Sequence, residues 1–159
     1  MDNIVIRDAK EKDVDIVFEQ GKNVSGFEVD PETISFWPIQ LLRQSIGKED
    51  VVFLVIEKEG SIIGFIIVNL NYSLSKGEIE DIFIIEPERN KGYGTMLLKK
   101  AIEVTKNRGI LYKIEYVNAL TNTAGGFFQK NGFTEGNEFT WFSLALTDIF
   151  KKASTENPS

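Results

Sequence analysis

The segment from Glu78 to Thr95 constrains the fold more than any other part of the chain. It reads EIEDIFIIEPERNKGYGT, so an acidic and apolar strand-like run leads through a glycine loop directly into a helix. Gly92 and Gly94 allow the backbone to approach a ligand closely. The free N–H groups of the first helical turn and the helix dipole both attract anions. The segment therefore predicts a phosphate-binding loop between a strand and a helix.

The composition limits the chemistry that such a loop could serve. The 159 residues contain no cysteine and no histidine, and their net charge is −6. The chain therefore has no disulfide or thiol nucleophile, and it lacks the commonest general base and zinc ligand. We expect no metal, and acid–base chemistry by Asp, Glu, Lys, Tyr or water. The acidic balance argues against nucleic acid as a partner and suits a cationic substrate.

Length and hydropathy predict a small protein that does not interact with a membrane. The N-terminus MDNIVIRDAK has no apolar signal core, and no apolar run approaches the ~18 residues of a membrane span. We therefore expect a cytoplasmic protein. The length predicts one domain over residues 1–150, followed by a polar tail over residues 151–159.

Hydrophobic patterning predicts an alternation of strands and helices. Two apolar runs rich in β-branched residues flank the segment EKEGS, which predicts a hairpin of buried strands. The order predicts an α/β or α+β sheet layered with helices. Strands are expected at Asn3–Arg7, Val51–Ile56, Ile62–Val68, Ile79–Ile85, Leu111–Val117 and Phe139–Leu146. Helices are expected from Asp8 or Ala9 to Gln20, from Asp30-Pro31 toward Gly47 with a break near Pro38, at Tyr93–Arg108, and from Thr121 to about Lys130.

Three features of the chain together resemble the GNAT-type N-acetyltransferases. The loop RNKGYG at Arg89–Gly94 fits that family's Arg/Gln-x-x-Gly-x-Gly/Ala signature for the acyl-CoA pyrophosphate. The preceding strand has the expected acidic and apolar residues, and FFQKNGF at Phe127–Phe133 resembles the family's late helix-to-strand corner. The element order agrees from Ile4 to Leu146. The resemblance implies a single domain whose mixed sheet has six to seven strands, a V-shaped splay and about four flanking helices.

The resemblance also implies acetyl-CoA as co-substrate, bound along the splay. Pantetheine is expected to lie like an extra strand against the backbone of Ile82, Phe83 and Ile84. Asn122 is expected either to bond the pantetheine arm or to cap its own helix. Phe128 stands beside the cofactor, where the family commonly has a tyrosine. The pyrophosphate is expected on the loop and helix start, formed by Arg89, Asn90, Lys91, Gly92, Tyr93, Gly94 and Thr95.

Acetyl transfer to an amine requires a base, because a free alkylammonium has a pKa near ~10.4 and is almost fully protonated at neutral pH. Glu80 is the expected base and Glu78 is the alternative. Strand alternation predicts that these two share one face, whereas Asp81 lies on the other and binds an ammonium of the substrate. A purely structural interpretation is that these acids are solvent-facing strand-edge residues that discourage aggregation.

One position departs from the pattern of the family. Phe128 replaces the tyrosine that commonly protonates the leaving thiolate, and phenylalanine cannot donate a proton. Tyr116 in the neighbouring strand is a candidate substitute, or it is a half-buried sheet aromatic with its hydroxyl at the rim. Phe27 and Trp37 fall in the helical hairpin that shapes the acceptor pocket in the family, or they belong to the core.

These observations predict direct transfer of an acetyl group from acetyl-CoA to a primary amine. Without cysteine, a thiol-linked acetyl-enzyme is impossible. The string IEDIFI, with Glu80 and Asp81, and the segment near Trp141 and Phe142 resemble the polyamine acetyltransferases, so a small cationic amine is the expected acceptor. A protein N-terminus or lysine is the alternative acceptor. A non-catalytic acyl-CoA-binding module, favoured by Phe128, is the alternative from another class. Homodimers are common in the family, and pairing of the late strands is compatible with one.

Overall fold

The computed structural model describes residues 2–24, 36–117, 124–138, 140, 142, 144 and 146. Within these residues the chain forms five strands and four α-helices. In chain order they are β1 (Ile4–Asp8), α1 (Val14–Gly21), α2 (Ile39–Ser45), β2 (Val51–Lys58), β3 (Ser61–Asn71), β4 (Lys76–Ile84), α3 (Tyr93–Asn107), β5 (Lys113–Tyr116) and α4 (Gly125–Lys130).

The strands form one mixed sheet in the order β1-β2-β3-β4-β5. The first four are antiparallel to their neighbours, and β5 runs parallel to β4 after the crossover through α3. The predicted hairpin is β2 and β3. Its turn residues Glu59 and Gly60 are both left-handed, with φ of 51° and 78°, as a tight turn between twisted strands requires. The prediction of a mixed sheet with about four helices is confirmed.

The predicted number of six to seven strands is higher than the five that the described residues form. The difference lies in the expected strand Phe139–Leu146, whose described residues 140, 142, 144 and 146 are in no strand. The side chains of Phe142, Leu144 and Leu146 are exposed. Alternating hydrophobicity is not sufficient for a strand, because the backbone groups also need a neighbouring strand as partner. The predicted tail at 151–159 lies outside the described residues.

Helices cover both faces of the sheet and divide the core in two. Leu97, Leu98 and Ala101 of α3 pack against one face, which we call the α3 face. Val14 and Val17 of α1 pack with residues around α2 against the other face, which we call the α1 face. The helix α2 begins at Ile39, directly after the predicted break at Pro38. The helix start predicted at Asp30-Pro31 lies outside the described residues.

The sheet opens between β4 and β5. The strand β5 pairs with β4 only from Lys76 to Ile79, whereas β3 pairs with β4 along its length up to Ile84. From Glu80 to Ile84, β4 therefore has no strand partner on its outer side among the described residues. This is the V-shaped splay that the resemblance predicts.

Candidate active site

The loop between β4 and α3 presents backbone N–H groups that have no partner. From Asn90 to Thr95, none of these groups donates to an acceptor in the described part of the chain. Asn90 and Gly92 are left-handed, with φ of 61° and 87°, and Gly92 forms the N-cap of α3. Alternation of left-handed and other residues produces a concave surface of N–H groups that suits an anion. The predicted phosphate-binding loop thus has the required geometry.

Side chains on both sides hold this loop in place. The Arg89 Nε donates to the Ile84 carbonyl oxygen at 2.8 Å, and the guanidinium lies 5.5 Å from the centre of the Phe83 ring. A Cβ at Gly94 would lie 3.3 Å from the Phe127 ring, so α4 packs closely against the start of α3. These contacts fix the loop between the end of β4 and the two helices.

The charged and aromatic groups of the loop already have partners. Lys91 Nζ forms an ion pair with Glu88 at 3.1 Å. Tyr93 donates its hydroxyl to Asp2 at 3.3 Å, and Lys58 Nζ lies 5.6 Å from the centre of the Tyr93 ring. Lys91 would have to exchange Glu88 for a phosphate in order to bind one. The backbone groups need no such exchange.

The backbone of β4 is available at the open side of the sheet. Because the Ile85 N–H donates to the Ile63 carbonyl on β3 at 2.9 Å, alternation directs the peptide groups of Phe83 toward β3 as well. Those of Ile82 and Ile84 face the opening, where Arg89 already binds one lone pair of the Ile84 carbonyl. Backbone contact with a ligand in the splay is therefore open to Ile82 and Ile84, and not to Phe83.

A cleft of about 1780 Å³ extends from this opening. Acidic residues of β4 and aromatic residues of β5 and α4 line its two sides. Among its lining residues are Glu78, Glu80, Asp81, Tyr116 and Phe128. The fold thus brings the predicted catalytic acids and the candidate proton donor to one cavity.

Glu80 occupies a β-bulge. Ile67 of β3 pairs with Asp81, and the next residue, Val68, pairs with Ile79. Glu80 is therefore the extra residue of β4. Its Oε1 accepts a hydrogen bond from Asn69 Nδ2 at 2.8 Å. Burial raises the pKa of Glu80, the Asn69 bond opposes this, and the charge of Glu78 adds to it.

Asp81 is the most deeply buried of the three acids, with 6% of its surface exposed. Its Oδ2 accepts a hydrogen bond from Trp37 Nε1 at 2.7 Å. Burial raises the pKa of Asp81 to about 7, the bond from Trp37 opposes this, and the charge of Glu80 contributes further. A carboxyl group that titrates near neutral pH is typical of catalytic and ligand-binding sites.

The prediction that Glu80 and Asp81 lie on opposite faces is wrong. Trp37 packs in the core of the α1 face, and Asn69 is on the same side of β3 as Ile67, which belongs to that core. Glu80 and Asp81 bind these two residues, so both lie on the α1 face. The physical reason is the bulge, which interrupts the alternation at Glu80.

Glu78 differs from Glu80 in forming an ion pair with Lys76. Lys76 Nζ lies 3.6 Å from a Glu78 carboxylate oxygen and also pairs with Glu115 of β5. An ion pair stabilises the ionised form of a carboxylate but competes with its use as a proton acceptor. Glu80 has no ion pair among the described residues, so the geometry favours Glu80 over Glu78 as the base.

The two aromatic residues that concern the leaving group lie together. Phe128 is 4% exposed, and its ring stacks on Tyr116, with ring centres 4.2 Å apart and an angle of 18° between the planes. Phe128 also contacts Phe127 and Phe133 edge to face. Phe128 is therefore a core residue that supports Tyr116 at the wall of the cleft.

Several predicted positions cannot be placed. Phe27, Asn122 and Trp141 lie outside the described residues. The sequence analysis missed Asn69, which binds Glu80. A signal for it was present, since Asn69 is a polar residue close to the end of the apolar run IIGFIIVNL.

Comparison with known proteins relates this arrangement to a family. The profile of the acetyltransferase (GNAT) family matches residues 23–133. An uncharacterized N-acetyltransferase of Methanocaldococcus jannaschii is 30% identical over 104 residues, which are 62% of this chain and 46% of that protein. The chain spans about half the length of the curated relatives it matches.

Solved structures share the fold at low sequence identity. The PaiA N-acetyltransferase of Thermoplasma acidophilum in complex with coenzyme A has a TM-score of 0.71 and 21% identity, covering 86% of this chain and 93% of that one. An aminoglycoside acetyltransferase from an uncultured soil metagenomic sample, in complex with sisomicin, has a TM-score of 0.71 and 14% identity, covering 91% and 97%. These likenesses show the fold alone.

Proposed function

The chain belongs to the GNAT family of acetyltransferases, and we propose that it transfers an acetyl group directly from acetyl-CoA to a primary amine. The observation that carries the proposal is the run of unbonded N–H groups from Asn90 to Thr95 beside the open edge of β4. A diphosphate on the loop would place an extended arm along that edge. Both parts of the cofactor then meet backbone groups that can still form hydrogen bonds, although the Ile84 carbonyl oxygen already accepts one from Arg89.

Acetyl-CoA supplies the thioester, and the residues of the chain bind and orient it. Asn90 to Thr95 hold the pyrophosphate through the backbone, and Arg89 fixes the loop to Ile84. Ile82 and Ile84 bond the pantetheine arm as an added strand would. An N–H group at this edge would also face the carbonyl oxygen of the thioester and stabilise the charge that develops there.

Glu80 is the proposed base. It lines the cleft, it has no ion pair among the described residues, and burial raises its pKa toward the range in which a carboxylate removes protons efficiently. The amine loses its proton to Glu80, directly or through one water, and the neutral nitrogen attacks the thioester. Glu78, which is paired with Lys76, is the alternative.

Tyr116 is the proposed proton donor to the leaving thiolate. Its ring lies against Phe128, the position at which the family commonly has the donating tyrosine, and it lines the same cleft as Glu80. A thiol with a pKa of roughly 8.5 needs little assistance as a leaving group. The contribution of Tyr116 is therefore an increase in rate and not a requirement.

The proposed acceptor is a small cationic amine such as a polyamine. Asp81 offers a buried carboxylate for an ammonium group, and the Trp37 indole beside it offers an aromatic surface. Glu78 and Glu80 line the same cleft and add to its negative charge. A peptide N-terminus or lysine is the second candidate, for which an open groove with backbone partners would be needed.

The location and assembly of the protein stay predictions. None of the helices in the described residues is long and apolar enough to cross a membrane. We propose a cytoplasmic protein with a small-molecule substrate and no nucleic-acid partner. A homodimer is compatible with the exposed Phe142, Leu144 and Leu146, and sedimentation would test it.

A panel of acceptors tests the proposed activity. Acetyl-CoA is incubated with spermidine, putrescine, an aminoglycoside and N-terminal peptides, and the released thiol is measured. We expect release with the polyamines and its loss, by about 100-fold or more, in Glu80→Gln. The matched control Glu86→Gln removes an exposed acid in the segment that follows β4 and should leave turnover unchanged. Binding of CoA without release on any amine would refute the enzyme and favour a non-catalytic binding module.

A further inference from the structure

Asn69 is an unusual residue for its place in the sheet. It lies near the end of β3, where the residues from Ile63 to Val68 are buried, and its backbone pairs in register with Glu78. Its side chain is only partly exposed to solvent. The Nδ2 group donates to the Oε1 of Glu80 across the strands at 2.8 Å.

The hydrogen bond from Asn69 occurs at a position where strand pairing does not fix the orientation of the Glu80 side chain. Since Ile67 pairs with Asp81 and Val68 with Ile79, Glu80 has no register partner on β3. A glutamate at a bulge has several rotamers available, and an unrestrained carboxylate spends little time in any one of them. The bond from Asn69 engages one carboxylate oxygen. The second oxygen, Oε2, has no hydrogen-bond partner in the described part of the chain.

Given the proposed acetyl transfer, we propose that Asn69 is a positioning residue that holds Glu80 with its free oxygen toward the cleft, ready to accept the proton of the amine. In the reaction the substrate N–H bond breaks and an O–H bond forms at Oε2, while Oε1 stays bound to Asn69. The amide of asparagine can donate but cannot take up the proton itself. It therefore directs the base without competing with it.

Charged groups near Glu80 also affect its pKa, in addition to the hydrogen bond from Asn69. Glu78 and Asp81 are acidic neighbours on β4, and Lys76 is the basic neighbour, itself shared with Glu78 and with Glu115 of β5. Burial and the charge of Glu78 raise the pKa of Glu80, whereas the Asn69 hydrogen bond and the charge of Lys76 lower it. Removal of the amide should consequently raise this pKa and leave the carboxylate less restrained.

A graded pair of substitutions tests this inference. Asn69→Leu removes the donor at similar size, and Asn69→Asp replaces it with a repelling carboxylate without a change in shape. We expect the acid limb of kcat/KM to move to higher pH in Asn69→Leu and further in Asn69→Asp. On that limb kcat/KM should fall on the order of tenfold, since a hydrogen bond to a charged group is lost, and the loss should be smaller at alkaline pH.

The matched control is Asn71→Leu. Asn71 lies two residues along the same strand, and its Oδ1 accepts from the Leu74 N–H in the following turn at 3.1 Å. Its replacement should alter stability but leave the pH profile in place. A merely structural role for Asn69 predicts the same result for both asparagines, and that result would overturn the inference. If Asn69→Leu does not fold, the isosteric Asn69→Asp variant carries the test.

A second measurement does not depend on turnover. The side-chain carboxyl of Glu80, observed by carbon NMR in the protein without ligand, should titrate at higher pH in both Asn69 variants than in the wild type. An unchanged titration overturns the inference even if the enzyme is active. If the wild type acetylates an amine but the variants keep its pH profile, the inference fails alone. If the wild type acetylates no amine, the proposed function fails and the inference fails with it.

Discussion

The buried carboxyl group of Asp81 should make the stability of this protein fall as the pH rises. Its pKa is about 7 in the native state and 3.8 without the protein environment. Below about pH 4 both states hold the proton. Between about pH 4 and pH 7 the unfolded chain releases the proton and the native protein keeps it, so stability decreases with increasing pH. Above about pH 7 both states are ionised and the decrease ends.

The magnitude follows from the two pKa values. One pKa unit corresponds to ~1.4 kcal/mol, so the ionised carboxylate costs the native state about 4 kcal/mol at alkaline pH. About 3 kcal/mol of this should develop between about pH 5 and pH 8.5. The substitution Asp81→Asn removes the ionisation. Its Oδ1 can still accept the hydrogen bond of Trp37, so the packing of the indole is preserved.

Urea unfolding at several pH values measures this effect. The free energy of unfolding of Asp81→Asn should exceed that of the wild type increasingly from about pH 5 to pH 8.5, and the gap should widen by about 3 kcal/mol. Asp50→Asn removes an exposed carboxylate and controls for the change in net charge. Parallel stability curves for wild type and Asp81→Asn would refute the reasoning, because the pKa of Asp81 would then be the same in the native and unfolded states.

Two further substitutions test the proposed cofactor-binding loop and the proposed proton donor. Gly92→Ala should weaken CoA binding measured by calorimetry and lower stability by about 1 kcal/mol, because Gly92 has a φ of 87°. Gly60→Ala, with a φ of 78° in the β2–β3 turn, should cost similar stability without changing CoA affinity; equal affinities in all three proteins would argue against the loop. Tyr116→Phe keeps the stacking on Phe128 and should lower kcat several-fold without changing the KM for acetyl-CoA. An unchanged kcat would exclude Tyr116 as proton donor.

The conformation of the glycine loop between β4 and α3 could be predicted because its determinants are local. Gly92 permits the left-handed conformation that caps α3, and the first N–H groups of any helix lack partners within it. The hairpin of β2 and β3 was predictable for the same reason, since two apolar runs flank a turn with Glu59 and Gly60. Such features depend on the backbone preferences of a few neighbouring residues, which can be read from the sequence.

The arrangement of the acids depended on the tertiary structure. The alternation rule placed Asp81 on the face opposite Glu80, but the register of β3 against β4 makes Glu80 the extra residue of a bulge. The residues that donate hydrogen bonds to these acids, and so lower their pKa values, are distant in the sequence. Trp37 donates to Asp81, and Asn69 donates to Glu80. No local pattern encodes those pairs.

By itself, the sequence determined the order of strands and helices, the glycine loop between β4 and α3, and the absence of thiol and imidazole chemistry, because residue type and local backbone preference are sufficient for these. Only the tertiary structure decided where the pairing between β4 and β5 ends. It also decided which edge of β4 is open and which carboxylates are buried. Burial and strand register are properties of the whole packed sheet, and the pKa values of Glu80 and Asp81 follow from them.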